Sequence, residues 1–193
     1  MARDFRPYLP EQFFLLPQSP REWLPEGHLA FFLQDTVALL DLGPILKRYH
    51  AGRGPQAYHP QMLLTVLLYA YCTGVYSSRK IAAHCETDVA CRVLSAGQHP
   101  DFRTLSDFRK DHLAAVERLF LEVLRLCREA GLVRLGHLSL DGSKYQANAS
   151  KHKAMSYGRI QEAEPKLEAE IRVLLERAAS VDAAEDAAHG ADK

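Results

Sequence analysis

The stretch TLSDFRKDHLAAVERLFLEVLRLCREA, residues 104–130, decides the fold class of this chain. Its apolar residues recur every three or four positions, which is the period of one face of an α-helix. Thr104 and Asp107 approximate a capping box at its start, and Gly131 provides a C-cap at its end. The pattern predicts one long packing helix and leaves open a break near Asp111. The apolar series is Val116, Leu119, Phe120, Val123, Leu126 and Cys127.

Directly upstream, the sequence predicts shorter helices. Pro60 suits the first position of a helix, and the apolar run after it predicts a helix that is buried over much of its girth. Ser77 or Ser78 can cap a helix over residues 79–85, because a side-chain oxygen satisfies free backbone amides. Thr87 or Asp88 can cap another helix that ends near Leu94. Two short helices joined by a tight turn, with the helix from Thr104 after them, predict a part that is similar to a helix-turn-helix.

The N-terminal part is predicted to be an extended arm followed by two helices. Its prolines fix φ and remove backbone donors, so they favour turns over regular structure. Residues 28–42 give an imperfect apolar stripe, Gly43-Pro44 is predicted to end that helix, and a short helix is predicted over residues 45–50. The prolines are Pro7, Pro10, Pro17, Pro20 and Pro25.

Downstream of the long helix, the pattern changes to that of a buried strand. Leu135, Leu138 and Leu140 alternate loosely with small residues, and Asp141-Gly142 then supplies a turn at the sheet edge. An Asp before Gly is more often a turn former than a metal ligand. By the residues alone, Asp141 is therefore only a weak candidate for a metal site.

The C-terminal part is predicted to begin with an amphipathic helix and to end in a frayed tail. Leu167, Ile171, Leu174 and Leu175 fall on one face of that helix. From Ala178 on, small and acidic residues predict fraying or disorder. We expect deletion of residues 179–193 to barely change the melting temperature, because that stretch offers little apolar area to bury. A large loss of stability would instead indicate that the acidic tail docks across the basic face proposed for DNA.

Composition and charge narrow the class of protein. The chain has 193 residues with 47% hydrophobic content and no formal net charge. Up to Ile160 there are 20 Lys and Arg against 15 Asp and Glu, and from Gln161 on 4 against 9, so an acidic tail balances a basic body. The start has no signal-peptide core, and the longest apolar run is too short to cross a bilayer. A soluble cytoplasmic protein is expected.

The four cysteines lack the spacing of a disulfide frame or a zinc site. They form no CxxC pair and lie in helical patterns. Packed, reduced thiols are the favoured interpretation, and a site that combines His84, Cys85 and Cys91 is the weaker one.

Two groups of motifs together resemble a known family. The first is DGSKYQANAS, residues 141–150, followed by Ser156-Tyr157. The second runs from Tyr58-His59-Pro60 through Ser77-Ser78-Arg79 to HPDFRTL, residues 99–105, and Phe108-Arg109. Both resemble bacterial DDE insertion-sequence transposases of the branch with an InsH-type N-terminal domain. The resemblance spans about Tyr58 to Tyr157.

The resemblance implies that Asp141 is the first catalytic carboxylate and a ligand of Mg²⁺. In the implied mechanism two magnesium ions, about 4 Å apart, activate the attacking oxygen and stabilise the leaving one at a phosphodiester. In the family, a second Asp and a Glu follow on later strands of a ribonuclease-H-like domain. One carboxylate is too few for this chemistry, so we expect an N-terminal portion, truncated before the rest of the catalytic domain, that is inactive on its own.

The partner implied by the resemblance is double-stranded DNA of the transposon's terminal repeats. A helix-turn-helix arrangement predicts DNA contacts at the exposed start of the third helix and on the helix before it. For any single lysine, a solvated helix face is the commoner interpretation. The predicted DNA-binding residues are Arg79, Lys80, Arg103, Thr104, Ser106, Arg109 and Lys110.

The predicted fold is mainly α. It consists of a Pro-rich arm with the first helices (1–57), a helical DNA-binding domain (58–131), the first strand and carboxylate of an incomplete ribonuclease-H-like α/β domain (132–160), and a helix with an acidic, partly disordered tail (161–193). The function is then that of a transposase part that binds transposon ends. The alternatives are a non-catalytic DNA-binding protein that inhibits the full-length enzyme, and a helical interaction protein without nucleic acid. The recognised DNA sequence and the oligomeric state, a homo-oligomer included, stay open.

Overall fold

The computed structural model describes residues 19–49, 57–129 and 157–190 of the chain. Every regular element in these ranges is helical, which confirms the mainly α prediction for this part of the chain. A short 3₁₀ helix, Pro20–Trp23, comes first, and α-helices follow it. They are α1 (Leu29–Ala38), α2 (Gly43–Leu46), α3 (Pro60–Cys72), α4 (Ser78–Thr87), α5 (Val89–Leu94), α6 (Phe102–Asp111), α7 (Leu113–Glu129) and α8 (Tyr157–His189).

Side-chain caps set the starts of these helices. Ser77 precedes α4 and its Oγ accepts a hydrogen bond from the backbone N–H of Lys80 at 3.1 Å. Asp88 precedes α5 and accepts from the N–H of Cys91 at 2.8 Å. Pro60 occupies the first position of α3. All three predicted starts are confirmed: Ser77 and Asp88 each satisfy a backbone donor that the helix leaves free, and Pro60 lacks an N–H that would need a partner.

The core is centred on α3. Its residues from Met62 to Tyr71 are all buried, as the apolar pattern predicts. One hydrophobic cluster joins α3 to buried residues of α1, α7 and α8. Packing of α1 on α3, of α4 on α5 and α6, and of α7 on α8 completes the arrangement. The two helices that carry the predicted DNA-binding residues, α4 and α6, therefore pack directly against each other.

The first two helices are shorter than the sequence predicts. The helix predicted over residues 28–42 ends at Ala38, and Leu42 instead precedes α2. Gly43 and Pro44, which were expected to end the first helix, open α2, because a proline suits the first turn of a helix. The helix predicted over residues 45–50 is therefore observed as Gly43–Leu46.

The long helix predicted over residues 104–130 is divided into α6 and α7. The division falls at His112, whose φ of −117° and ψ of 21° are not helical. The start of α6 is also earlier than predicted. Asp101, and not Thr104, is the N-cap, because its side chain accepts from the N–H of Arg103 at 2.8 Å. The capping box at Thr104 and Asp107 is therefore wrong.

The acidic tail also differs from its prediction. Residues from Ala178 on were expected to fray, but α8 continues to His189 and buries Ala178 and Asp182. The reason is that acidic residues of this segment find partners on α4 and α6, which the composition of the tail does not reveal.

The strand over residues 135–140, the turn at Asp141-Gly142 and the ribonuclease-H-like continuation lie outside the described residues and stay predictions.

Among the helices of the described ranges, none combines the length and the hydropathy that crossing a membrane requires.

Candidate nucleic-acid interface

The candidate site is built on the first turn of α4. Ser77 caps this helix, so the backbone N–H of Ser78 points outward without an intrahelical acceptor. That N–H donates to Oδ1 of Asp182 at 2.8 Å, and the Ser78 hydroxyl donates to Oδ2 of the same carboxylate at 2.6 Å. The positive end of the helix dipole adds to the attraction for a negative group. The start of α4 thus binds a carboxylate from α8.

The second element of the site is α6, which contributes Arg109 from its last turn. Its side chain is 1% exposed, and one guanidinium nitrogen donates to Asp182 Oδ2 at 2.6 Å. The other nitrogen donates to the hydroxyl oxygen of Tyr71 at 3.2 Å. Burial raises the pKa of Tyr71, so the phenol stays neutral and Asp182 is the counter-ion of Arg109. This buried ion pair connects α6 to α8.

Among the acidic residues at the site, Asp182 accepts the most hydrogen bonds. It is 5% exposed and accepts from Ser78 and from Arg109. Burial alone raises the pKa of this carboxyl, but the hydrogen bonds from Ser78 and Arg109 outweigh burial and hold the pKa below its ordinary value. The carboxylate is therefore ionised at neutral pH. A buried ion pair of this kind is costly to break, since one charge is then left without a partner.

A second, more exposed ion pair lies outside the buried one. Arg79 donates to Asp186 Oδ1 at 2.9 Å, with side chains 18% and 37% exposed, and also to the backbone carbonyl of Gly190 at 2.9 Å. The guanidinium carbon of Arg79 lies 3.8 Å from the ring centre of Phe102, a cation–π contact that fixes the position of the arginine. Ser77 donates to Glu185 Oε2 at 2.6 Å.

A pocket of about 180 Å³ lies beside these contacts, between α4, α6 and α8, and Arg79, Phe102, Asp182 and Asp186 are part of its lining. Two buried polar atoms at the pocket, Ser106 Oγ and Arg79 Nε, have no hydrogen-bond partner among the described residues. Ser106 is 6% exposed. Four predicted DNA-binding residues line the pocket: Arg79, Arg103, Ser106 and Lys110.

Acidic residues complete the lining of the same pocket. Asp107 comes from α6 and is exposed, whereas Asp182 and Asp186 come from α8. Two carboxylates of α8 therefore form part of the pocket lining and pair with Arg79 and Arg109.

The predicted DNA-binding residues differ in their access to solvent. Lys80, Arg103 and Lys110 are exposed, and Thr104 is half-buried. Arg109 and Ser106 are buried, so their predicted position at the exposed start of a helix is wrong; Arg109 and Lys110 lie in the last turn of α6. In this arrangement, Arg109 can reach a ligand only after α8 has moved. The assignment of these residues to DNA stays a prediction, and Asp141, the predicted catalytic carboxylate and metal ligand, lies outside the described residues.

The acidic residues that occupy the site were predicted only as part of an Ala-rich tail, and whether that tail docks was left open. Asp182, Glu185 and Asp186 follow one another at intervals of three and one, which places them on one face of a helix. That spacing was the available signal. It was outweighed by the small, Ala-rich composition around it, which is typical of a frayed end.

Metal ligands and reactive thiols give no second site in the described part of the chain. No group of three or more His, Cys, Asp and Glu in the described ranges is placed to hold a metal ion. The combination of His84, Cys85 and Cys91 is therefore not a metal site here. Cys85 and Cys91 are buried, and burial raises the pKa of Cys85 to about 11 and that of Cys91 further, so both are protonated, packed thiols at neutral pH. The prediction of reduced, packed thiols is confirmed for these two.

Comparison with known families gives one match. Residues 18–111, a little under half of the chain, match the family described as Transposase domain (DUF772). The matched region runs from the 3₁₀ helix through α6 and contains all seven predicted DNA-binding residues. No curated protein and no solved structure matches the chain. The family match supports a transposase-related protein.

Proposed function

We propose that the helical unit of this chain binds double-stranded DNA as the DNA-binding part of a DDE transposase. The observation that supports this most is that Arg79, Arg103, Ser106 and Lys110 line one pocket on α4 and α6, within the region that matches the transposase domain. Proteins contact DNA phosphates through guanidinium, ammonium and hydroxyl groups and through the N–H groups at helix N-termini. The ligand class is therefore the sugar–phosphate backbone of a duplex, and terminal repeats are the proposed source.

The test is the salt dependence of duplex binding. Each phosphate contact contributes about 0.9 to the slope of log K against log salt concentration. Arg103→Ala combined with Lys110→Ala should weaken binding of a labelled duplex, measured by fluorescence anisotropy, and should lower that slope by about two units. Both side chains are exposed, so the double variant keeps the fold. Arg109 is unsuitable for this test because it is buried in an ion pair.

A matched control carries the same change of charge away from the pocket. Lys47→Ala with Arg118→Ala removes two exposed positive charges from α7 and from the end of α2. This control should retain the wild-type slope. Equal slopes in wild type and in a folded Arg103/Lys110 variant would exclude these residues from the DNA contact surface.

We further propose that Asp141 acts as the first Mg²⁺-binding carboxylate of the complete enzyme. The support is the resemblance of residues 141–150 to the first catalytic segment of DDE transposases. Asp141→Asn should abolish any Mg²⁺-dependent strand cleavage or transfer, and it should leave duplex affinity unchanged if binding resides on the helical unit. Duplex binding without cleavage by the wild-type chain would favour the non-catalytic DNA-binding alternative.

A further inference from the structure

Helix α8 is attached to the body by two different kinds of contact. Its first part is apolar: Leu167, Ile171, Leu175 and Ala178 are buried, and α8 packs on α7. Its last part, residues 179–190, is attached by polar contacts. Asp182 contacts Ser78 and Arg109, Glu185 contacts Ser77, and Asp186 contacts Arg79. The last part can therefore separate from α4 and α6 while the apolar part stays in place.

The groups that hold this last part are those of an oxyanion-binding site. Asp182 receives a backbone N–H from the start of α4, a hydroxyl and a guanidinium, all within 2.8 Å. The same three kinds of donor, at a helix N-terminus, are suited to the non-bridging oxygens of a phosphate. Arg79 contacts the ring of Phe102 on α6 in addition to its bonds with Asp186 and Gly190, so part of its support comes from outside α8. The site is thus complementary to a negatively charged ligand in general.

The site also has donors that α8 does not use. Ser106 Oγ and Arg79 Nε are buried and have no hydrogen-bond partner among the described residues. Ser106 is 6% exposed and lines the pocket beside Asp182. A buried polar atom without a partner is costly. An anionic ligand that enters the pocket would bring acceptor oxygens to these two groups, and the non-bridging oxygens of a backbone phosphate are such acceptors.

We propose that Ser77, Ser78, Arg79, Ser106 and Arg109 form a binding site for a DNA backbone phosphate, and that the last part of α8 occupies this site as a displaceable acidic segment. This inference rests on the proposed DNA-binding function. Duplex DNA and residues 179–190 then compete for the same donors, so α8 weakens DNA binding in the state described here. Binding of either one lowers the affinity for the other by the same factor.

The first experiment weakens the outer contacts of α8 without disturbing the buried ion pair. Glu185→Gln with Asp186→Asn removes two partly exposed charges. The control, Glu170→Gln with Glu176→Gln, removes two exposed charges from the same helix at positions that do not line the pocket. The first variant should bind a random-sequence duplex roughly five-fold tighter than the control, measured by fluorescence anisotropy at constant salt; this corresponds to about 1 kcal/mol for the two outer contacts together.

The second experiment detects the movement of α8 in the unmodified chain. Saturating duplex should speed amide hydrogen exchange in residues 179–190, because these amides lose the protection of the docked helix. Exchange in α3 should not change, since this helix lies in the core. Slower or unchanged exchange in residues 179–190 at saturation would overturn the competition.

The outcomes separate the two proposals. Duplex binding that is equal in the Glu185/Asp186 variant and in the control would overturn the phosphate competition and leave the proposed DNA-binding function intact. Failure of every variant, including wild type, to bind duplex would overturn both. Circular dichroism confirms for each variant that the helices are retained, so a loss of binding is not mistaken for unfolding.

Discussion

The buried ion pair between Arg109 and Asp182 provides the sharpest test of the docked position of α8. Asp182→Asn keeps the size of the side chain and removes its charge, which leaves Arg109, 1% exposed, without a counter-ion. Removal of one partner of a buried ion pair costs roughly 3–5 kcal/mol. Asparagine can still accept from Ser78, so we expect a loss near the lower end, about 3 kcal/mol. A domain with about 5–15 kcal/mol of stability survives that loss.

The assay is urea unfolding of the full chain at neutral pH, followed by far-UV circular dichroism. A lower midpoint with an unchanged slope identifies a change in stability. Glu176→Gln, an exposed acidic residue on the same helix, is the control and should change the free energy of unfolding by no more than about 0.5 kcal/mol. An effect of Asp182→Asn as small as that of this control would refute the docked position of α8.

A double-mutant cycle isolates the pair itself. Arg109→Met and Asp182→Leu should each destabilise the protein, since each leaves one buried charge alone. The double variant should lose less than the sum of the two, because replacing both charges by apolar side chains removes the unpaired charge. Additive losses would show that the two side chains do not interact.

The remaining predictions concern packing, capping and pH. Leu119→Ala should lower the free energy of unfolding by roughly 2–5 kcal/mol, because the side chain is fully buried on α7; a loss under about 1 kcal/mol would contradict that position. Asp101→Ala should cost about 1 kcal/mol and more than Thr104→Ala, because Asp101 caps α6. The pKa of Asp182 in the folded protein lies below 3.8. The difference in stability between wild type and Asp182→Asn should therefore be constant near neutral pH and should shrink as the pH falls below 3.8. A difference that stays constant down to the acid transition would contradict the paired carboxylate.

Features that depend on neighbours in sequence could be predicted from the sequence. Ser77 and Asp88 each cap a helix by accepting from the amide three residues further on, and Pro60 starts α3 by its own geometry. The apolar pattern of α3 also predicted its burial, because an all-round apolar helix has no solvent face. Where two local signals competed, the sequence was less informative. Asp101 displaced Thr104 as the cap of α6, since both residue types can accept from a backbone amide.

The acidic lining of the candidate site could not be predicted in this way. Arg109 and Asp182 lie 73 residues apart, and no local pattern indicates that they meet. The tail was expected to fray because its apolar area is small, and this reasoning omitted the ion pairs that hold it. Deletion of residues 179–193 should therefore lower the melting temperature, in contrast to the expectation from composition. The loss of the Asp182 contacts alone predicts a shift of several degrees.

The strength of the α8 contacts also sets how strongly DNA would have to bind. If opening residues 179–190 costs about 3 kcal/mol, the open state is populated to roughly 1% in the absence of DNA, since each 1.4 kcal/mol is a factor of ten. The apparent affinity for a duplex is then reduced by the same factor of about a hundred. Several phosphate contacts by exposed residues such as Arg103 and Lys110 can offset that reduction at low salt and fail to do so at high salt. Arg109 would add its contact only in the open state, because the ion pair with Asp182 buries it in the closed one.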